Sequence, residues 1–298
     1  MKLAAIDIGS NAARLLITDA IDNNNKPEFI KLNLVRVPLR LGFDVFEKGI
    51  IGDDKQKMIL NTMSAFKNLL DAYSVQHLKA CATSAMRDAK NSKEIIAQVK
   101  KKTGIQIEII SGDIEAGLVF ETHIAEKLDK AKSYLYIDVG GGSTELIFYN
   151  AGKQKFKKSF NIGTIRLLRK DVTPEMWIEM KNFIDDNIKS KKSVYAIGSG
   201  GNINKIFSLS KTKDGTALPV SSIKAYLKEF SGLTVEQRIN KYKFKEDRAD
   251  VIVPALEIFN NVMRWAGANE IYVPKIGVAD GLVHSLYQEI KSSEEKKN

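Results

Sequence analysis

The chain has 298 residues, of which 44% are hydrophobic and 28% are charged, a composition typical of a soluble globular protein. No stretch approaches the roughly 18 apolar residues of a membrane-spanning helix, and the apolar run at the start is too short for a secretory signal. The single cysteine, Cys81, excludes an internal disulfide. We therefore expect a cytoplasmic protein that does not associate with a membrane, and the length favours two domains over one.

The formal net charge of +10 is distributed unevenly. Residues 1–125 carry 17 Lys/Arg against 15 Asp/Glu, whereas the rest of the chain carries 29 against 21. Residues 152–170 contain seven basic side chains and no acidic one. Such a stretch is typical either of a polyanion-binding surface or of an edge strand whose lysines block pairing with another strand. Individual lysines fit the edge strand, and we interpret the overall imbalance as a preference for a phosphate-rich ligand.

Hydrophobic periodicity and turn residues predict the secondary structure in chain order. The first part of the chain is predicted to form strands at residues 3–8, 14–18, 28–41, 77–82 and 105–110, and helices at 53–73, 92–102 and 111–128. The second part is predicted to form strands at 134–139, 145–150, 194–197 and 270–273, and helices from 173 onwards and at 203–209, 222–230, 250–265 and 279–290. A charged tail at residues 292–298 is predicted to be disordered. We place one domain at residues 1–128 and another at 129–298, and the last helix (279–292) has the option of packing back on the first domain.

The chain contains an internal repeat. Residues 6–17 (IDIGSNAARLLI) align without a gap with residues 137–148 (IDVGGGSTELIF), at an offset of 131. Each copy reads as an apolar strand, an aspartate, a turn of small residues and a second apolar strand. Self-similarity at this distance predicts two domains of one ancestry.

Each repeated turn has the features of a phosphate-binding loop. Glycines allow positive φ and close approach of the backbone to a ligand, and consecutive N–H groups can enclose an anion. The aspartate at the strand end, Asp7 or Asp138, is suited to hold hydrated Mg²⁺. A hairpin would explain one such turn equally well, but two in matching register favour phosphate binding.

Further motifs accompany the two turns, at residues 82–89, 109–116, 161–167 and 248–252. In this order, from residue 4 to about 285, they resemble the motifs of exopolyphosphatases and guanosine pentaphosphate phosphatases, the Ppx/GppA family. The resemblance implies membership of the actin-like superfamily of sugar kinases, heat-shock ATPases and actin. The implied fold is α/β, with two ribonuclease H-like domains facing each other across a phosphate-binding cleft.

The resemblance also implies roles for individual residues. Glu115 matches the general base that activates water, and Asp138 with Glu145 matches the acidic pair that holds Mg²⁺ or Mn²⁺. Asp7 is a further candidate metal ligand. The turns and the resemblance together indicate a phosphate-binding set of Gly9, Ser10, Asn11, Arg14, Arg87, Gly140, Gly141, Gly142, Ser143, Thr144, Gly198, Ser199, Gly200 and Gly201.

Several of these residues have an alternative interpretation. Glu115 is also explained as a carboxylate near a helix N-terminus, and Glu145 as a cross-strand partner. Arg14 either contacts phosphate or stays buried against a carboxylate. Arg87 either forks onto phosphate oxygens or pairs with Asp88 or Asp113.

The sequence also departs from the family pattern. Ala12 and Ala13 stand where a serine or larger residue is usual, and residues 198–202 (GSGGN) replace a more usual Gly-Thr-x-Gly-Thr. Residues 281–285 (GLVHS) lack a usual arginine–glutamate pair, which leaves open how the last helix joins the cleft. Since the chain has 298 residues and long relatives continue into helical domains, we expect a short two-domain form that prefers shorter substrates.

These observations predict a phosphohydrolase that releases terminal phosphate from inorganic polyphosphate, guanosine pentaphosphate or both. The alternatives are a non-catalytic sensor of polyphosphate or an alarmone, and a kinase of the same superfamily. Nucleic acid is not an expected partner, because the basic run lacks interleaved aromatic residues. Homodimerisation stays open at this point.

Overall fold

The structure, a computed structural model, describes residues 1–23, 26–123, 129, 131–189, 194–274 and 276–295. The chain divides into two compact units. The first unit consists of Met1–His123 together with Gly277–Asn298, and the second consists of Ile124–Ile276. The C-terminal segment is therefore part of the first unit, and that unit is discontinuous in sequence.

The helices and strands are numbered in chain order. The first part of the chain forms β1 (Lys2–Ile8), β2 (Ala13–Asn23), β3 (Lys26–Val37), α1 (Leu41–Lys48), α2 (Asp53–Ala72), β4 (His77–Ala82), α3 (Ser84–Asp88), α4 (Ser92–Thr103), β5 (Ile107–Ile109) and α5 (Gly112–His123). The second part forms β6 (Ser133–Val139), β7 (Thr144–Asn150), β8 (Lys153–Phe160), α6 (Thr164–Leu168), α7 (Pro174–Asn187), β9 (Val194–Ser199), α8 (Gly201–Leu209), β10 (Leu218–Pro219), α9 (Val220–Ser231), α10 (Val235–Tyr242), α11 (Glu246–Ala249), α12 (Ile252–Ala266), β11 (Glu270–Tyr272) and α13 (Val278–Glu295).

The first unit is built on a five-stranded mixed sheet with the order β3-β2-β1-β4-β5. The strands β1, β2 and β3 form an antiparallel meander, and β1, β4 and β5 run parallel. Six of the seven β1 residues are buried, as expected for a central strand covered on both faces. The helices α2 and α4 pack on one face of this sheet, and α13 contacts β1, β2 and β4.

The second unit repeats this topology. Its six-stranded sheet has the order β10-β11-β9-β6-β7-β8, with β6, β7 and β8 antiparallel and β6, β9 and β11 parallel. The strands β8-β7-β6-β9-β11 thus correspond one by one to β3-β2-β1-β4-β5. Both units are mixed α/β, as predicted. The repeat identified in the sequence corresponds to a repeat of the sheet topology.

Several predicted elements differ from the observed ones. The strand predicted at 28–41 ends at Val37, and Leu41 begins the unpredicted helix α1, because Arg40 turns the chain with φ 54°. The helix α10 was also unpredicted, although Thr234 and Gln237 form a capping box at its start. The helix predicted at 250–265 is observed as α12, and the short helix α11 that precedes it was unpredicted. The helix α13 continues to Glu295, so residues 292–295 are helical rather than disordered. The predicted helix at 111–128 is described as far as His123, and its end lies outside the described residues.

The basic stretch after β7 contains β8, which is an edge strand of its sheet. This position agrees with the interpretation that the lysines block pairing with another strand. Lys153 and Lys155 are exposed. Lys158 pairs with Glu179 at 2.9 Å and lies over the rings of Phe160 and Phe183. Within the described part of the chain, no helix is both long and apolar enough to span a lipid bilayer.

Candidate functional site

The second glycine turn joins β6 to β7 and places two carboxylates opposite each other. Asp138 pairs with Glu145 in the register of the hairpin, and the Gly140 N–H donates to the Ser143 carbonyl at 2.9 Å across the turn. Residues directly opposite in an antiparallel pair point to the same face of the sheet. The turn therefore brings both predicted metal ligands of this unit to one side.

Asp138 and Glu145 are 7% and 1% exposed, so both carboxylates are removed from water. The Tyr136 hydroxyl donates to Asp138 Oδ2 at 3.4 Å, and the Ser159 hydroxyl donates to Glu145 Oε1 at 2.8 Å. Two like charges placed opposite each other and buried are costly unless a cation is present. The donor set therefore fits a divalent cation.

Magnesium commonly takes one or two carboxylates and completes its octahedron with water and phosphate oxygens. Among the described residues, no group of three or more His, Cys, Asp or Glu side chains is arranged to hold a metal. A metal at the Asp138–Glu145 pair would complete its coordination with other oxygen atoms, such as those of hydroxyls, carbonyls, water or phosphate.

The short helix α6 fixes the direction of the peptides in this turn. The Gly140 carbonyl accepts from the Thr164 N–H at 3.0 Å, and the Gly141 carbonyl accepts from the Ile165 N–H at 2.8 Å. The Gly142 carbonyl accepts from Arg166 Nε at 2.8 Å. In a trans peptide the N–H of the next residue points opposite to the carbonyl, so the N–H groups of residues 141–143 point away from α6. Three successive N–H groups directed in this way suit an anion.

Glycine is needed at position 163 because the backbone of the second glycine turn lies very close to it. A Cβ on Gly163 would lie 2.5 Å from both the Gly141 oxygen and the Gly142 carbonyl carbon. Positive φ, the other reason for predicting glycine in the turns, is not used there: Gly9, Gly140, Gly141 and Gly142 all lie in described segments and none has a left-handed φ. Gly163 instead lets the turn and the start of α6 come together.

The side chains of the second turn have different surroundings. The Thr144 hydroxyl donates to the Ile162 carbonyl at 2.6 Å, and the Thr144 side chain is fully buried. Its hydroxyl proton therefore holds the hairpin to the chain before α6. Ser143 is buried at 3% exposure.

A third loop, predicted at residues 198–201, lies beside Asp138. Ser199 pairs with Asp138 across β9 and β6, and Gly200 has φ 109°. A Cβ on Gly200 would lie 3.4 Å from Asp138 Oδ1 and 3.1 Å from the Val139 oxygen. The helix α8 begins at Gly201, so its unpaired N-terminal N–H groups start next to the carboxylate pair.

The first glycine turn has the same backbone but a different charge. The Gly9 N–H donates to the Ala12 carbonyl at 3.0 Å, and Asp7 pairs with Arg14 in the hairpin register. Arg14 Nη1 lies 2.7 Å from Asp7 Oδ2, and Asp7 is 2% exposed. Of the two predicted surroundings of Arg14, the structure shows the carboxylate. The Asp7 carboxylate thus already has a cationic partner, whereas its counterpart Asp138 faces a second carboxylate.

Other groups support the first turn. The hydroxyls of Ser10 and Ser84 are 2.7 Å apart, and both side chains are buried. The carbonyls of Ser10 and Asn11 accept from the N–H groups of Gly42 and Arg40 at the start of α1. The helix α1 thus plays the part in the first unit that α6 plays in the second.

Glu115 lies in the first turn of α5, next to the strand ends of the first unit. Its N–H donates to the Ser111 carbonyl at 3.0 Å, and its side chain is half-buried. Burial raises the pKa of the Cys81 thiol well above its ordinary value, and the negative charges of Asp7 and Glu115 raise it further. Asp7, Cys81 and Glu115 therefore share one electrostatic neighbourhood.

Arg87, predicted to bind phosphate or to pair with Asp88 or Asp113, has a described bond to the backbone. Its Nη1 donates to the Ile110 carbonyl at 3.0 Å and so ties α3 to the connection between β5 and α5. In each unit the predicted residues gather at the carboxyl ends of parallel strands, where α/β sheets bind ligands.

Sequence reasoning missed the residues that support the turns. Arg166, Ser84 and Ser159 all contact predicted site residues through hydrogen bonds. The motif at residues 161–167 was recognisable, but its contact with the second glycine turn joins residues that are about twenty positions apart. The sequence therefore showed the motif but did not show which part of the chain it contacts.

The profile of the Ppx/GppA phosphatase family matches residues 22–290. Among curated proteins, the bifunctional 3-dehydroquinate synthase/phosphatase of Fusobacterium nucleatum is 28% identical over 91% of this chain and 44% of its own length. Exopolyphosphatase 1 of Mycobacterium bovis is 29% identical over 57% of this chain and 48% of its own length. The chain thus spans about half the length of these curated relatives.

The fold is also similar to that of solved structures. The crystal structure of an exopolyphosphatase from Cytophaga hutchinsonii superposes with a TM-score of 0.82 at 26% identity, covering 98% of each chain. A profile match over most of the chain and a common fold over nearly all of it agree with the motifs and with the turn geometry. The chain belongs to the Ppx/GppA phosphatase family.

Proposed function

We propose that this protein is a magnesium-dependent exopolyphosphatase that hydrolyses the terminal phosphoanhydride bond of inorganic polyphosphate. The observation that carries the proposal is the buried pair Asp138 and Glu145, placed beside a turn whose N–H groups point away from its supporting helix. A cation and a phosphate together would neutralise this arrangement. Family membership and the exopolyphosphatase from Cytophaga hutchinsonii support the reaction class.

The residues have distinct parts in the proposed mechanism. Asp138 and Glu145 would hold Mg²⁺, which would neutralise charge on the phosphoryl oxygens. The N–H groups of residues 141–143 and of the α8 N-terminus bind phosphate oxygens. Glu115 orients a water in line with the terminal phosphorus and takes its proton. The products are inorganic phosphate and a chain shorter by one unit.

The decisive experiment measures phosphate release from polyphosphates of several lengths, guanosine pentaphosphate and ATP, with and without Mg²⁺. We expect release from polyphosphate that requires Mg²⁺. Release from guanosine pentaphosphate alone would assign the second substrate of the family. Binding of polyphosphate without release would indicate a sensor, and transfer of phosphate to an acceptor hydroxyl would indicate a kinase.

Two substitutions test the residue assignments. Glu115→Gln is expected to lower kcat by at least about a hundredfold, because the water loses its base. Glu108→Gln, an exposed carboxylate on β5, is the matched control and should keep wild-type activity. Full activity in Glu115→Gln would remove Glu115 from the mechanism.

The metal assignment is tested separately. Asp138→Asn is expected to abolish the Mg²⁺-dependent part of phosphate release, because one of the two carboxylates loses its charge. Asp186→Asn, which changes an exposed carboxylate on α7, serves as the control. Isothermal titration with Mg²⁺ and pyrophosphate provides a readout that does not depend on turnover. Unchanged titration in Asp138→Asn would contradict the placement of the metal.

A further inference from the structure

Arg166 contacts the second glycine turn through both its backbone and its side chain. Its N–H lies 3.4 Å from the Gly141 oxygen, and its Nε donates to the Gly142 carbonyl at 2.8 Å. Its Nη1 pairs with Asp171 Oδ2 at 2.6 Å. The Arg166 side chain is 13% exposed and its bond to Gly142 is partly buried, whereas Asp171 is 42% exposed.

The bond to Gly142 determines the direction of one peptide. The carbonyl of Gly142 and the N–H of Ser143 belong to the same planar unit and point in opposite directions. Turning this peptide over rotates the ψ angle of Gly142 and the φ angle of Ser143, and Gly142, which has no Cβ, offers little steric resistance on its side. Holding its carbonyl on Arg166 keeps the Ser143 N–H on the opposite side, together with the N–H groups of Gly141 and Gly142.

The guanidinium shape suits this task better than a charge alone. Arg166 uses Nε for the turn and Nη1 for Asp171, which are two positions of one rigid plane. The Asp171 N–H in turn donates to the Arg166 carbonyl at 2.9 Å, so the anchor is part of the same short segment. A lysine has a single nitrogen and lacks this planar fork.

The first turn provides an internal comparison. The equivalent carbonyls there, those of Ser10 and Asn11, accept from the backbone N–H groups of Gly42 and Arg40. Backbone donors are available whatever the side chain. Arg166 is therefore a side-chain addition to the turn that carries the Asp138–Glu145 pair.

We propose that Arg166 is a positioning residue that locks the Gly142–Ser143 peptide so that the Ser143 N–H faces the phosphate. This inference rests on the proposed function for its kinetic consequence, although the locked peptide itself can be tested without turnover. A correctly directed N–H donor contributes most where charge develops during the reaction. Loss of Arg166 is therefore expected to lower kcat more than it raises KM.

The experiment compares Arg166→Gln and Arg166→Lys with Arg169→Gln, which changes an exposed arginine at the end of the same short helix. Steady-state phosphate release from polyphosphate is measured at low and high salt. We expect both Arg166 variants to lose at least about tenfold in kcat with KM within about threefold of wild type, since removing one such donor costs up to about a thousandfold. The Arg169 variant should behave as wild type.

Hydrogen exchange of the segment 139–146 is the second readout. Both Arg166 variants should exchange faster than wild type and Arg169→Gln in this segment. Wild-type kcat together with wild-type exchange in Arg166→Gln would overturn the proposal. An Arg166→Lys variant with full activity, or a loss confined to a salt-dependent KM, would show instead that Arg166 acts as a cation for phosphate.

The two readouts separate this inference from the proposed function. If the wild-type protein releases no phosphate from any substrate, the proposed function fails, and exchange in segment 139–146 still decides whether Arg166 locks the turn. If Arg166→Gln does not fold, Asp171→Asn replaces it, because it removes the charge of the anchor at a partly exposed position. Faster exchange of the turn in Asp171→Asn supports the proposal, and unchanged exchange contradicts it.

Discussion

Gly163 has no side chain, and the backbone of the second glycine turn occupies the space where a Cβ would be. The turn can approach α6 only because of this, and its carbonyls then reach the N–H groups of Thr164 and Ile165. The residue takes no part in chemistry and still determines the position of the groups that do.

Gly163→Ala is therefore expected to displace the turn. The new Cβ would lie 2.5 Å from the Gly141 oxygen, so we expect a loss of about 1–3 kcal/mol in the free energy of unfolding. A displacement of about 1 Å at a reacting centre can lower kcat about a hundredfold. Urea unfolding and phosphate release measure the two effects. Gly232→Ala is the control, because its nearest contact would be an ordinary 3.6 Å, and equal behaviour of the two variants would contradict the packing argument.

Cys81 gives the first unit a predicted dependence on pH. Burial raises the pKa of its thiol, and the charges of Asp7 and Glu115 raise it further. The folded state thus holds the proton more tightly than the unfolded state, whose thiol has a pKa of about 8.5. The free energy of unfolding is unaffected by this group below that value and falls as the pH rises above it.

The comparison of wild type with Cys81→Ala isolates this effect, since the other titrating groups cancel. Between about pH 8 and 10, wild type is expected to lose up to about 1.4 kcal/mol per pH unit relative to the variant. Urea unfolding at several pH values measures the difference. Parallel pH dependences for the two proteins would show that the thiol ionises equally in both states.

At the scale of elements, each glycine turn is supported by a short helix that follows the third strand of its sheet. The helix α1 provides backbone N–H groups to the first turn, and α6 provides them to the second. Neither helix was predicted from the periodicity of the sequence. Both contain fewer than nine residues, and their purpose is visible only in the contacts that they make.

Residues 281–285 left open how the last helix joins the rest of the protein, and the contacts of α13 give the answer for the first unit. His284 lies with its ring 3.9 Å from the ring of Phe29, and Ser285 donates to Glu289 at 2.9 Å. Gly281 meets the backbone of Leu118 in α5, the helix that also carries Glu115. Packing against β3 and α5 thus joins the last helix to the first unit.

Gly281→Ala tests this contact. A Cβ at this position would lie 2.5 Å from the Leu118 carbonyl carbon, so α13 and α5 would have to separate. We expect a loss of about 1–3 kcal/mol in the free energy of unfolding, measured with urea. Gly277→Ala is the control, because its nearest contact is 4.0 Å away. If Gly281→Ala proves as stable as the control, the close approach of the two helices is not required.

At the scale of the whole molecule, the chain consists of two units with one topology and two charge patterns. The first unit is completed by the C-terminal segment, and the second is continuous. The corresponding hairpin positions hold an aspartate and an arginine in the first unit, and an aspartate and a glutamate in the second. Divergence after duplication would account for a shared backbone with different chemistry. The carboxylate pair of the second unit is the reason for proposing the metal there, and Asp7 stays a further candidate ligand.

The amino-acid sequence by itself determined the family, the repeat and the positions of both turns. Those features are local: a strand, an aspartate and small residues follow one another in the chain, and the same pattern recurs after 131 positions. For the same reason, two strands and one helix were predicted within one residue of their observed ends: the strands at 3–8 and 77–82 and the helix at 53–73.

Only the tertiary structure decided what each turn faces. The cationic partner of Asp7, the hydroxyl of Ser159 on Glu145 and the clamp of Arg166 on Gly142 all join residues that the hairpin register or the return of the chain brings together. Periodicity reports which side of an element is apolar, but it contains no information on which distant group fills the space beside a polar one. The second glycine turn could therefore be located from the sequence, whereas the reason why its N–H groups point outwards required the folded chain.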